Sequence, residues 1–190
     1  MTEKKVLIKE EPIEERVVTL KDIYDKYNRE VMTNDAYRYI DAYSLKKTKI
    51  AAAVACFISS VIFPMLGSMI DIDLLENLSV ILMFVMIAVG VLLIKNANEV
   101  FKDSIDEVPS LTSATHDYLN DELYPLKQQA SKLRTIGVGL CCFSFAPVMI
   151  FEPLYLDELG VALFFLMIAV GVFLIMYSGH KTSAYNKLLK

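Results

Sequence analysis

Asn77-Leu78-Ser79-Val80-Ile81-Leu82-Met83-Phe84-Val85-Met86-Ile87-Ala88-Val89-Gly90-Val91-Leu92-Leu93-Ile94 is the stretch whose reading decides the fold. It holds no charged residue, and its apolar side chains fall on every side of a 3.6-residue turn instead of along one stripe. At about 1.5 Å per residue such a helix matches the roughly 30 Å hydrocarbon core of a bilayer. Three more uncharged blocks, at 50–70, 135–151 and 159–179, have the same character. Four such blocks in 190 residues point to four transmembrane helices, since a soluble bundle leaves a polar stripe on each helix.

Composition agrees. Hydrophobic residues make up 55% of the chain and charged residues 22%, which excludes a disordered chain and is too apolar for an ordinary soluble domain. Three cysteines exclude a disulfide-dense secreted scaffold. The first block begins near residue 50, behind a charged stretch, so it is not read as a removable signal peptide.

The formal net charge of -4 is unevenly distributed. The two short connections, 71–76 and 152–158, carry Asp71, Asp73, Glu76, Glu152, Asp157 and Glu158 and no basic residue. All 19 lysines and arginines lie on the other side, with the remaining 17 acids. The positive-inside rule then predicts a cell-membrane, multi-pass protein with both termini and the central segment cytoplasmic. The expected organisation is a cytoplasmic N-terminal arm with amphipathic helices (1–48) and a first transmembrane hairpin (49–96). A cytoplasmic helical connector (97–133), a second hairpin (134–180) and a cytoplasmic tail (181–190) follow.

An internal repeat runs through the two hairpins. Met86-Ile87-Ala88-Val89-Gly90-Val91 recurs unchanged as Met167-Ile168-Ala169-Val170-Gly171-Val172, at a spacing of 81. In the partner spans Lys49, Cys56 and Ser59 match Arg134, Cys141 and Ser144, at a spacing of 85. Both copies enter from the same side, so they are parallel repeats. The fold class predicted is an all-α integral membrane protein, with four transmembrane helices as two duplicated parallel hairpins and short cytoplasmic amphipathic helices.

The candidate structural residues are Pro64, Pro147, Gly90 and Gly171. Each proline removes a backbone donor, so the first and third spans are expected to bend. Ser60 and Ser144 are placed to serve freed backbone groups. Ala51, Ala55 and Ser59, and in the second copy Gly137 and Cys141, form small-residue faces that let helices approach closely. Packing is the preferred reading of these features, with a functional hinge as the alternative.

Outside the spans, residues 1–18 read as a flexible arm. Thr19 with Asp22 has the capping pattern that opens a helix, and Leu20, Ile23, Tyr24, Tyr27 and Val31 follow on one face. A second helix is expected from Thr33 through Tyr43 into the first span. In the connector, Ser113 is expected to cap a helix to Leu123, and Pro125 to open another. These helices serve either as a cap over the inner end of the spans or as a docking surface.

Catalytic chemistry is sparse. No Asp, Glu, Lys, Arg or His lies inside a span, which argues against an ion-coupled transporter. His116 beside Asp117 and Tyr118 is the one candidate acid–base group, and a solvated helix face is its commoner meaning. Cys56, Cys141 and Cys142 lack metal or redox spacing. No phosphate loop or dense basic run is present, so neither a cofactor nor a nucleic-acid partner is expected.

The second repeat, from Leu140-Cys141-Cys142-Phe143-Ser144 and Pro147 through Met167–Val172 to Tyr177-Ser178-Gly179-His180-Lys181 and Tyr185-Asn186-Lys187-Leu188-Leu189, resembles a group of small bacterial four-span membrane proteins. Members of that group commonly carry the two-hairpin region behind an Xre-type helix-turn-helix domain. The resemblance covers residues 33–190 and implies a bacterial plasma membrane. The 32 residues ahead of it are too few for a helix-turn-helix domain, so DNA binding is not carried over. The group supplies no activity and no site residue.

The function expected is therefore that of a non-enzymatic multi-pass membrane protein acting through contacts, as a regulatory, sensory or accessory subunit. A small transporter or pore built from parallel repeats is the alternative. Its partners would be the lipid bilayer and either a second copy or another cytoplasmic or membrane protein.

Overall fold

The computed structural model describes residues 20–69, 73–104, 108–111, 113–154 and 156–190, with side chains described from Asn34 onward except those of Asp73, Ser104 and Ala114. The expected arm at 1–18, the cap at Thr19 and the side chains from Leu20 to Val31 lie outside these described parts.

Every element among the described residues is helical. α1 spans Leu20–Ser60, α2 Ile62–Ser68, α3 Asp73–Ser104, α4 Ser113–Phe143, α5 Phe145–Phe151, α6 Asp157–Ser178 and α7 His180–Leu188. A 3-10 turn over Glu152–Leu154 precedes α6. Four of the helical stretches are long and apolar enough to cross a membrane: Asn34–Ser68, Leu74–Asp103, Thr115–Leu154 and Asp157–Leu188.

Two helix starts expected from the sequence are absent. α1 passes Thr33 without interruption, because no glycine or proline occurs between Leu20 and Ser60 to end it. Pro125 lies inside α4 and opens no new helix. Its ring deprives the Asp121 carbonyl of a donor, and both residues are exposed, so solvent can serve the freed group.

Near Pro64 and Pro147 the helices are interrupted. α1 gives way to α2 at Val61, and α4 to α5 at Ser144. In each case the interruption reaches the residue four before the proline or its immediate neighbour, where the i to i-4 bond is missing. Val61 (φ -67°, ψ -21°) and Ser144 (φ -61°, ψ -26°) keep helical dihedrals, so the chain is interrupted without reversing. Ser60 Oγ donates to the Phe57 carbonyl and Ser144 Oγ to the Cys141 carbonyl, both at 2.8 Å. They do not serve the carbonyls the prolines free, those of Ser60 and Phe143, because a helical serine hydroxyl reaches back one turn.

The spans form an open row, not a closed bundle. α1 and α2 touch α3 on one side and α6 on the other; α6 touches α4 and α5. α3 makes no comparable contact with α4, α5 or α6 among the described residues. The lateral order is thus α3, α1, α6, α4. Burial follows it: in the most apolar 18-residue window, 22% of residues are buried in the two inner stretches and 11% in the two outer ones.

Glycines set the closest approaches. A Cβ on Gly171 would stand 2.6 Å from Cys141 Sγ and 2.8 Å from the Gly137 carbonyl, so α6 and α4 meet backbone to backbone. A Cβ on Gly90 would stand 2.7 Å from the Phe57 ring, which makes α1 and α3 neighbours at that level. Both glycines thus stand at close approaches between helices. The buried core lies elsewhere, at the end of the row that carries the basic residues. There Ala36, Tyr39 and Ile40 of α1, Leu119 and Leu123 of α4, and Ala184, Tyr185 and Leu188 of α7 pack together.

Candidate functional site

The polar chemistry of the described residues concentrates on this terminal core. Glu122 projects from α4 between α1 and α7. Tyr37 donates to Glu122, with its hydroxyl 3.0 Å from both Oε1 and Oε2. Tyr185 donates to Oε2 at 2.9 Å. One carboxylate thus joins three helices that are far apart in sequence. Tyr118, a turn before Glu122 on α4, also hydrogen-bonds Tyr37.

The site holds its phenols protonated. Burial is the leading cause that raises the Tyr185 hydroxyl above the ordinary tyrosine value, followed by its bond to Glu122 and the charges of Glu122 and Asp41. Tyr37 is raised as well, again first by desolvation, then by its bonds to Tyr118 and Glu122. A neutral phenol donates and a carboxylate accepts, so the bonds to Glu122 favour the protonated phenols.

Beside this node lies an open cavity of about 380 Å³. Asp41, Glu122, Gln129 and Lys181 give it polar walls, while Ile40 and Leu126 supply apolar ones. These groups bind by hydrogen bond and charge; none is a nucleophile with an adjacent base.

An aromatic and cationic layer continues the site toward the spans. Tyr39 stacks with Tyr43 at a 6.0 Å centroid distance, and Phe101 of α3 meets both edge-on. Lys46 lies 4.6 Å from the Phe101 centroid, and Lys47 and Lys187 lie over Tyr43 at 5.7 and 5.2 Å. Lys49 Nζ bonds Asn96 Oδ1, joining α1 to α3 just inside this layer. Amphipathic rings with nearby ammonium groups suit the boundary between water and lipid.

The residues singled out in the sequence are dispersed. His116 Nδ1 is 3.8 Å from Asp117 Oδ1, with both side chains open to solvent, and no further catalytic group joins them. Their neighbour Tyr118 belongs to the Glu122 node instead. His180 stacks on Tyr177 at 4.2 Å and pairs its Nδ1 with the Tyr177 carbonyl. Pro64, Pro147, Gly90 and Gly171 all lie in the spans, away from the node. Glu122 was not singled out, because a glutamate on a polar helix face has no local signature; the cluster of tyrosines at 37, 39 and 43 was the only hint.

Cys56, Cys141 and Cys142 are free thiols. Among the described residues no group of three or more His, Cys, Asp or Glu stands where it could hold a metal ion. No protein-family model, curated protein or solved structure matches this chain.

Proposed function

We propose that the chain is a non-enzymatic bacterial membrane protein that works through protein contacts, as a regulatory or accessory subunit. Both termini and the helical cap would face the cytoplasm, a reading the distribution of basic residues supports. The observation that carries this reading is the Glu122 node. The only dense polar network on the described surface ties α1, α4 and α7 into one exposed unit, and it contains binding chemistry without a nucleophile. A partner pressing on α7 would act on two membrane-crossing helices together.

The hairpins are read as duplicated parallel repeats. The repeated hexapeptide and its flanks support this. So do the matched interruptions at Val61 and Ser144, and the way Gly90 and Gly171 each abut the opening helix of their own hairpin. The resemblance to the small four-span bacterial group supports the same reading.

Affinity capture from native membranes in mild detergent tests the function. A stoichiometric polypeptide, either another protein or a second copy, is the expected result. Loss of that polypeptide on replacing Glu122 or Tyr185 would link it to the cap. Repeated recovery as a solitary chain would refute the reading.

A transporter or pore is the second reading, favoured by the paired interruptions ahead of Pro64 and Pro147. Reconstituted vesicles would then pass solute or ions faster than empty ones.

A further inference from the structure

The open row has two bare ends, and each resembles a surface already covered inside the chain. On α6, Ala162 and Ala169 lie about 180° around the helix from Gly171, which faces α4. They are 4% and 3% exposed, so the face they mark is the one covered by α1 and α2. In the repeat register, 81 residues earlier, the same face of α3 carries Ile81, Phe84, Ala88 and Val91. Three of these are identical to their counterparts Phe165, Ala169 and Val172. On α3 the face is bare: Ile81 is 57% exposed and Phe84 62%.

The other end matches in the same way. Ala51 is fully buried and lies about 120° around α1 from Phe57, which faces α3. Its side therefore belongs to the contact with α6 and α7. With the 85-residue register, Ala51, Val54 and Ile58 correspond to Ile136, Gly139 and Phe143 of α4. Phe143 is 71% exposed, and nothing lies within 4 Å of a Cβ built on Gly139. Glycine weakens a helix relative to alanine, and in membranes it is favoured where another helix comes close.

We propose that the protein self-associates head to tail in the plane of the membrane. The bare face of α3 in one copy docks on the bare face of α4 in the next, repeating between chains the contact that α6 makes with α1 within each chain. The proposal rests on the duplicated-hairpin reading above. The occupant is a second copy because the two bare faces are the counterparts of two faces that already fit one another. Such a contact is heterologous: in the membrane plane it closes into a ring where the rotation from copy to copy closes, and otherwise extends the row. Antiparallel helices in this register would set Phe143 near the partner copy's small Ala88, the counterparts of Ile58 on α1 and Ala169 on α6, two helices that touch within the chain.

Disulfide trapping tests this in native membranes. Two differently tagged chains, both with Cys56, Cys141 and Cys142 changed to Ala, carry Ala88→Cys and Phe143→Cys respectively and are co-expressed. Mild oxidation should give a mixed dimer holding both tags, at least fivefold above the dimer that either chain forms alone. Val91→Cys with Gly139→Cys supplies a second register in case the first variants misfold. Intrachain closure of Ile58→Cys with Ala169→Cys reports the internal contact. Closure within the chain without mixed dimers in either register overturns self-docking, yet leaves contact with a different protein open. Failure of the intrachain pair overturns the row and the proposal together. Dimers that join α3 to α3, or an α3 cysteine captured only by another polypeptide, also overturn it.

Discussion

Tyr185 of α7 stands 2.9 Å from Oε2 of Glu122 on α4, a bond across 63 residues of sequence. Because Tyr37 of α1 uses the same carboxylate, the polar bonds between the cap helices converge on one group, beside the apolar packing of Tyr39, Leu119 and Leu188. Glu122→Gln keeps an acceptor but loses the charge, and should destabilise the cap by about 1–2 kcal/mol. Tyr185→Phe should cost about 1 kcal/mol. Tryptic cleavage after Lys181 and Lys187 in detergent measures this, as faster release of the C-terminal peptide. Cleavage rates equal to those of the unaltered protein would remove the node from any structural role.

The two phenols make a pH prediction. Both are raised above the usual tyrosine value of about 10. In the window above pH 10 the unfolded chain releases these protons before the folded one does, so folding stability falls as pH rises. Below that window their contribution is fully present. Phenolate absorbance should show two tyrosines ionising late, together with loosening of α7. Since burial leads the shift, Glu122→Gln should return Tyr185 only part of the way. Complete reversal would mean that the carboxylate, not desolvation, dominates.

Much of the fold was legible because it is written locally. The span at 77–94 is apolar on every side, and no soluble surface can use such a helix. Pro64 and Pro147 announce their interruptions because the missing donor acts exactly one turn away. Continuity of α1 past Thr33 and of α4 through Pro125 was harder, since capping signals describe what a helix end needs, not whether the chain ends there. The order α3, α1, α6, α4 and the node at Glu122 were not legible at all. Both depend on contacts between residues tens of positions apart, and no periodicity records them.

Four glycines should separate by what surrounds them. Gly171→Ala and Gly137→Ala each push a methyl against backbone of the facing helix, so each should cost about 1–3 kcal/mol of stability. Gly90→Ala meets the Phe57 ring, which can turn aside, and should cost less. Gly139→Ala meets nothing and should leave the single chain unharmed or firmer by up to about 1 kcal/mol. Thermal unfolding in detergent supplies the ranking, and a destabilised Gly139→Ala monomer would contradict the open face of α4.

Proline replacement should restore a bond at each interruption. Pro64→Ala supplies an N–H to the Ser60 carbonyl, and Pro147→Ala one to that of Phe143. The helical dihedrals at Val61 and Ser144 mean that little rearrangement is required. Each variant should gain about 0.5–1.5 kcal/mol in detergent unfolding. If the contact-based function holds, partner capture should survive both changes. If the interruptions are the moving parts of a transport path, flux should collapse while stability rises, so the two readings give opposite results from the same pair of variants.

The proposed threading across the membrane rests on the charge distribution, and it can be measured directly. Glu152, Asp157 and Glu158 surround the start of α6, where acidic side chains also favour the helix N-terminus. In that threading three acids and no base would be exported, whereas the lysines at 46, 47 and 49 would resist translocation. Asp157→Cys, in a chain with the native cysteines changed to Ala, should react with an impermeant maleimide in intact cells. Lys187→Cys should react only after lysis. Adding Lys at 153 and 156 while removing Lys46, Lys47 and Lys49 should weaken or invert this difference, because the bias acts through positive charge. Labelling that ignores the charge swap would show that something other than the basic residues fixes the orientation.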